Sequence, residues 1–590
     1  MEPSTAAAID ADARAQARAG ALNARRLLIA AALLVAAAAV YASAAFGPPF
    51  YTKGEPREAI VTQRMLAEHD FVLPRRTATE IPAKPPLFHW LGAACSVVAG
   101  SVTEATVRAP SLLASLLAIA LTVATGYAAF GTSAGLSAGV VLATSQQWIA
   151  SSVTARVDMV LAAATAAALL SLWRARIRNA AFPTTFWIGC SLAVLAKGPV
   201  GYVLPVLIAV TLLLVRRDLS YLRTVRWGAA LAILAVPLGW YLLAWQHGGR
   251  EFLDKVVAEN LTRMIDADAA DLGHRHGAFY YVPALLAGMA PWSVLLFPAG
   301  LELWRARGRL LDESRTFALV WIGITIAFYS LADSKRPVYL LSCYPALALL
   351  IGDWLARRFG ENRAPSPAFL WTARAMAAVA STIVALVALQ SLAVPTFALF
   401  TRAMSEADQA NLAALARAVE SRPLALACWL LAIALLVAAF ERGISRGRRR
   451  TAFAALALVV ATTTAFAATT VFRDVARSQS VKPFIESALA RVPPGYPLYF
   501  YGAEPDLTFF RSFEYAASFY ARRPLELLHD LDAARPGEAV WFLAAEPTIE
   551  HLREVSSEVA SPYHLVEIER YTYGDNTKRT PLVFVEARRN

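Results

Sequence analysis

Charge is scarce in this chain. Of its 590 residues only 17% are Asp, Glu, Lys or Arg, and 57% are hydrophobic, whereas a soluble protein carries about a quarter charged residues. That balance excludes an ordinary water-soluble enzyme. Cysteine is scarcer still: Cys95, Cys190, Cys343 and Cys428 lie in apolar segments without metal-ligand spacing. They read as buried small hydrophobes, and no disulfide is expected. The chain also lacks a Walker-type phosphate loop, an HExxH pair and an internal repeat, which removes the motif-borne routes to nucleotide hydrolysis and zinc proteolysis.

What is abundant is apolar sequence in runs of about 17–25 residues, each long enough to cross a bilayer. About thirteen spans are expected, at 27–47, 107–130, 133–152, 158–173, 182–196, 199–215, 226–245, 281–303, 315–332, 337–354, 367–394, 423–440 and 451–472. The segment Pro85–Gly100 is too short and reads as an interfacial or re-entrant helix. Only Lys197-Gly198 separates the runs 182–196 and 199–215. The sequence therefore describes a polytopic α-helical membrane protein.

The net charge of +12 does not point to nucleic acid, because the basic residues have a different job. Alternate short loops hold Arg174, Arg176 and Arg178; Arg216, Arg217, Arg223 and Arg226; Arg305, Arg307 and Arg309; Arg357, Arg358 and Arg363; and Arg442 to Arg450. By the positive-inside rule these loops face the cytoplasm, together with the Ala-rich tail 1–26. The domain 27–472 then spans the membrane, and the intervening loops face outward. They include the long loop 48–106, the turns at Arg156–Asp158 and Lys197-Gly198, the loop 246–280, and the turn ADSKRP at 332–337.

The tail 473–590 changes character. YPLYFYG (496–502), EAVWFLAAE (538–546), HLVEIERYTY (564–573) and PLVFVEA (581–587) read as strands, alternating with helices at Ser478–Arg491 and Ser512–Arg522. This is a small soluble α/β domain on the outer, periplasmic side.

Ionisable residues gather on that outer face. Glu55, in GEPREA with Arg57 and Glu58, suits a general base or a substrate anchor, with Lys84 and Lys197 the cations to bring beside it; the plainer reading is a helix start with Pro56 in its first turn. Lys84 in AKPPL suits a phosphate head group, or else serves as a membrane-surface anchor. Lys197 interrupts a continuous apolar run, where a lone cation is costly and so points to function. Asp158 is either a site acid or an N-cap-like acid partnered by Arg156. Lys335, Arg336 and Tyr339 open another outer span end, and Arg263 lies in ENLTRM. His274 and His276 invite a metal, but an i,i+2 pair without further fixed ligands is weak support for one.

GEPREA, AKPPLFHWL, ARVDM, AKGP, ENLTRM, HGAFYYVPALLAG with APW, and SKRPVYLLSCYPALALL, in this order over residues 27–355, resemble the bacterial lipid A 4-amino-4-deoxy-L-arabinose transferase family. That family is related to the protein O-mannosyltransferases and has the GT-C glycosyltransferase fold. The resemblance implies an inner-membrane enzyme using a sugar on a polyprenyl (undecaprenyl) phosphate and an acceptor such as lipid A on the periplasmic face. By the same resemblance Glu55 and Asp158 are catalytic, and Lys84, Arg263 and Lys197 bind the donor phosphate. Arg57, Glu58, Lys335 and Tyr339 line the cavity. Two positions depart from the family: Gly54 stands where close members have the Asp of an Asp-Glu pair, and Ala83 where they have Glu before the lysine. The second leaves a divalent metal without its usual carboxylate, and no metal ligand is assigned. Glycosyl transfer to a protein or other glycan, or an envelope-lipid flippase, are the alternatives.

Overall fold

The computed structural model describes residues 4–590 except 53, 77–79, 83, 263–276, 307–310, most of 361–405, 503–512, 524, 535–538, 559–562, 572–580 and 590, with side chains for most of those from residue 24 onward. Among the described residues, seven helices are long and apolar enough to cross a bilayer, or eight if one bent pair counts as a span. The protein is a multi-pass membrane protein. Its first ten helices are α1 (Ser4–Ala45), α2 (Glu55–Glu68), α3 (Leu87–Ala99), α4 (Glu104–Phe130), α5 (Thr132–Ala143), α6 (Gln146–Ser152), α7 (Val157–Ile177), α8 (Thr184–Lys197), α9 (Val200–Val215) and α10 (Trp227–Val257).

Several expected spans are shorter or broken, for local reasons. The run 133–152 splits into α5 and α6, because Thr144 and Ser145 turn their hydroxyls onto the carbonyls of Val140 and Val141, both at 2.6 Å. The run 281–303 becomes Tyr281–Gly288 and Trp292–Arg305, bent by 113°, where Pro291 lacks the N–H that a continuing helix needs. α8 and α9 are separate: Gly198, at φ 89° and ψ −158°, takes a conformation open almost only to glycine. α10 is kinked at Gly249 (φ 55°, ψ −142°), and the helical piece after the kink occupies part of the expected outer loop 246–280, with Lys255 bonding Glu251 at 3.0 Å. The span expected at 367–394 lies largely outside the described residues.

α7 is the centre of the bundle. Fifteen of its residues are buried, as suits a helix apolar on every side. Its alanines let neighbours approach closely, and a Cβ on Gly189 of α8 would lie 2.7 Å from the Ala168 nitrogen. At its far end Trp173 stacks on Phe317 with ring centroids 4.8 Å apart. Cys190 and Cys343 are buried as expected, whereas Cys95 is half-buried and Cys428 exposed. The last two lie on helix faces that the protein core does not cover.

The tail forms a five-stranded sheet in the order β2-β1-β3-β5-β4, with β1 Leu498–Tyr501, β2 Glu526–Leu528, β3 Ala539–Ala545, β4 Tyr563–Tyr571 and β5 Leu582–Arg589. β1 pairs in parallel with β2 and β3, and β5 pairs antiparallel with β3 and β4. All seven residues of β3 are buried, because both faces of this central strand are covered. β2 and the helix Glu546–Glu558 are additions to the expected elements. The domain docks on the membrane part through Phe50, whose ring lies 5.1 Å from Phe519 and whose N–H donates to Tyr520 Oη at 3.3 Å. Lys482 adds an ion pair to Glu104 at 2.9 Å.

The Gly189 contact is against backbone, which cannot swing aside. Gly189→Ala should lower stability by about 1–3 kcal/mol, read as a lower melting temperature of the detergent-solubilised protein. An unchanged melt would show that α7 and α8 have room to separate.

Candidate functional site

Two carboxylates from the first turn of α2, Glu55 and Glu58, are both buried, yet they belong to different environments. Glu55 meets Arg108, a guanidinium 0% exposed in the first turns of α4. Arg108 Nε donates to Glu55 Oε1 at 2.6 Å and Nη2 to Oε2 at 3.2 Å. Its remaining donors reach the carbonyls of Ala45 (2.8 Å), Pro48 (2.6 Å) and Pro49 (2.9 Å). Glu55 also accepts from the backbone N–H of Ala155 at 3.2 Å, Thr52 at 3.4 Å and Tyr51 at 3.5 Å. Both its oxygens are occupied, and neither Lys84 nor Lys197 is among these partners. The carboxylate expected to be catalytic is thus engaged through both oxygens by Arg108 and backbone N–H groups.

Glu58 takes the position beside the cations. Its Oε1 accepts from Arg57 Nη2 at 2.8 Å and Nε at 3.1 Å, and lies 3.5 Å from Lys84 Nζ. Its Oε2 lies 3.0 Å from His89 Nε2 in the first turn of α3. Burial opposes the charge on Glu58, but Lys84, Arg57 and His89 together hold its pKa well below the usual carboxylate range. Burial, then Arg57, lowers Lys84 to about 8, while Glu58 and Glu259 pull the other way. Burial likewise lowers His89, so the neutral ring uses its Nε2–H as donor to the ionised Glu58.

A second pair adjoins the first. Lys197, at the last turn of α8, bonds Asp158 in the first turn of α7, and its ammonium sits 4.2 Å from the Tyr339 ring centroid. Asp158 thus pairs with Lys197 and not with the sequence-local Arg156. Lys84 is near enough to act on Asp158 electrostatically, and Glu259 on both Lys84 and Arg57. Lys335 is buried and donates to its own segment at Ala332 O, 2.7 Å away. Arg263, His274 and His276 lie outside the described residues. No group of three metal-ligating side chains occurs among the described residues.

His89 and Arg108 were not singled out in the sequence. Arg108 had a signal, a lone charge inside an apolar run like that of Lys197; His89 had only its place in AKPPLFHWL. An apolar cavity of about 770 Å³ lies away from the charged cluster. It is walled by Ala44, Val153, Pro291, Trp429, Val460 and Phe472 among others, and none of its lining residues is ionisable. Its wall reaches the cluster's framework through Phe472, whose ring packs edge-on against Tyr51 at 4.9 Å.

Removing one partner of the Arg108–Glu55 pair leaves the other charge buried. Arg108→Met should therefore cost about 3–5 kcal/mol and expose the 48–55 segment to protease, with part of the loss restored by adding Glu55→Gln. If the single variant melted and resisted protease like the parent, the clamp would not hold the segment.

Residues 83–241 match the dolichyl-phosphate-mannose-protein mannosyltransferase family. The undecaprenyl phosphate-alpha-4-amino-4-deoxy-L-arabinose arabinosyl transferase of Shewanella sediminis is 27% identical over 331 residues, 53% of this chain and 57% of that protein. Its counterpart in Pseudomonas aeruginosa is 28% identical over 310 residues, 52% and 55% of the two chains. The chain spans about half the length of these relatives. The crystal structure of ArnT from Cupriavidus metallidurans bound to undecaprenyl phosphate superposes with a TM-score of 0.70 at 21% identity, covering 95% of this chain and 97% of that one. Spans and sheet domain alike follow the fold of that structure.

Proposed function

We propose that the protein is a membrane glycosyltransferase that moves a sugar from a polyprenyl phosphate to an acceptor at the outer face of the bacterial inner membrane. The observation that carries this reading is the half-buried Lys84, held with Arg57 against Glu58 beside the Lys197–Asp158 pair. Cations at the edge of an apolar bundle suit the phosphate of a lipid-linked sugar. Relatives of this fold and sequence include transferases named for undecaprenyl phosphate aminoarabinose.

The topology supports the reading. Asp158 and Arg176 lie at opposite ends of α7, about 27 Å apart at 1.5 Å per residue, close to the thickness of a hydrocarbon core. At the Arg176 end the basic residues are gathered by acids: Arg176 by Asp218 and Glu313, each at 2.5 Å, and Arg315 by Asp353 at 2.9 Å. We assign that end to the cytoplasm, with residues 1–26, and the charged cluster and the tail 473–590 to the periplasm.

In the reaction, the bond from the sugar's anomeric carbon to the phosphate oxygen breaks, and its electron pair stays on the phosphate. The acceptor oxygen bonds to that carbon, and its proton passes to the departing phosphate or to water. Lys84 and Arg57 stabilise the charge that grows on the departing phosphate. Lys197 and Tyr339 wall the site from the bundle side, with Asp158 fixing the lysine. Aminoarabinose is the sugar that the relatives' names favour, and lipid A the acceptor implied by the family resemblance; a protein or another glycan is the alternative.

Lys84→Ala should weaken binding of undecaprenyl phosphate by about 10- to 100-fold, the loss of one charge-assisted hydrogen bond. Lys84 carries its charge below a pKa of about 8, so parental affinity should fall as pH rises through that value. Lys84→Arg, which does not deprotonate, should abolish that fall. A parent whose binding is flat from pH 7 to about 9 would remove Lys84 from the phosphate site. Mass spectrometry of envelope lipids from a deletion strain identifies the acceptor: lipid A is expected to lose a substituent, and an unchanged lipid A would eliminate it.

A further inference from the structure

The family pattern puts carboxylates at the positions of Gly54 and Ala83, and this chain has neither. Glu58 is instead the acid in contact with the two cations at the site. The contacts are uneven between its oxygens. Oε1 takes every cationic contact, two from Arg57 at 2.8 and 3.1 Å and one from Lys84 at 3.5 Å. Oε2 is held by His89 alone. An oxyanion with two cations on one oxygen is what a bound phosphate oxygen would look like at this spot. Glu58 is 2% exposed, so its charge is felt at short range with little screening from water.

We infer that Glu58 is a specificity-determining residue, an internal anion that shares the phosphate-binding cations and so keeps the site from trapping its own product. This rests on the reading of the protein as a polyprenyl-phosphate glycosyltransferase. The donor in that reaction is a phosphodiester with one negative charge. The product is a phosphate monoester, which carries between one and a half and two negative charges at neutral pH, roughly. A fixed negative charge beside the phosphate repels the product about twice as strongly as the donor. Glu58 therefore narrows the affinity gap that would otherwise favour the spent lipid. His89 pins Oε2, so the carboxylate stays beside the phosphate when the cations turn to it. The other charged groups facing this cluster are Arg76, Glu259 and Asp158 with its partner Lys197, and all remain in place in the variants below.

The test compares two ligands on the full-length protein in detergent at pH 7: undecaprenyl phosphate, and undecaprenyl methyl phosphate as the singly charged diester. In Glu58→Gln, affinity for the monoester should rise about tenfold and for the diester about threefold, following their charges. Glu58→Asp keeps the charge and should keep the parental ratio. A merely structural role would weaken both ligands together and leave their ratio unchanged. If Glu58→Gln shifts both equally or neither, while Glu58→Asp behaves as the parent, the inference is overturned and the glycosyltransferase reading survives. If the parent binds neither lipid, that reading falls and takes this one with it. Should Glu58→Gln fail to fold, the same ratio measured in Glu58→Ala, which also removes the charge, decides: it must move toward the monoester, and an unchanged ratio overturns the inference.

Discussion

One buried guanidinium fixes the geometry at the end of the bundle that carries the charged cluster. Arg108 closes on Glu55 and on three carbonyls at the end of α1 and the Pro48-Pro49 turn, while Glu55 reaches across to the backbone at Ala155. Five chain segments meet there: α1, the turn, α2, α4 and the approach to α7. A buried ion pair adds little net stability over an apolar replacement, but it demands one arrangement of its partners. With Glu55 fixed, the next residue on that side of α2, Glu58, is held over Lys84 and His89.

The site and the Arg-rich surface are the two ends of one helix. α7 brings Asp158 to Lys197 at its start and Arg176 to Asp218 and Glu313 at its end. Its alanine-rich middle lets α8 lie close enough for Lys197 to arrive at the level of Asp158. A cation inside an apolar run is expensive without a partner, and here the partner and the Tyr339 ring answer that cost together. The sheet domain is fastened to the same end through Phe50 and Glu104, so loop, cluster and tail share one face of the bundle.

The charged cluster and the apolar cavity would divide the demands of the lipid-linked substrate proposed above. A phosphate needs donors and cations, whereas a polyprenyl or acyl chain needs dry, flexible walls. The cavity's lining is apolar or uncharged throughout, and Phe472 against Tyr51 is the contact between it and the Arg108 framework. Keeping the two apart lets the cluster hold its ionised groups without drawing water into the bundle.

Much of this was legible in the residues. Long apolar runs can satisfy their backbone as helices in a bilayer, and arginine clusters in alternate short loops grouped one set of helix ends. The tail's alternating strands and helices announced a sheet, although a three-residue edge strand such as β2 carries too little pattern to be read. The breaks at Thr144-Ser145 and Pro291 were written locally and hidden by the hydropathy around them. Pairing was another matter. Glu55 and Glu58 are three residues apart with the same chemistry, and nothing in GEPREA tells which one an arginine 53 or 50 positions later will claim. Asp158 lies beside Arg156 in sequence yet bonds Lys197, 39 residues away. The sequence by itself determined a membrane bundle with charges of both signs at one surface, because hydropathy and loop charge are properties of segments. Which carboxylate is sealed and which meets the lysine was decided only by helix packing, since that choice depends on angles between elements that no single segment contains.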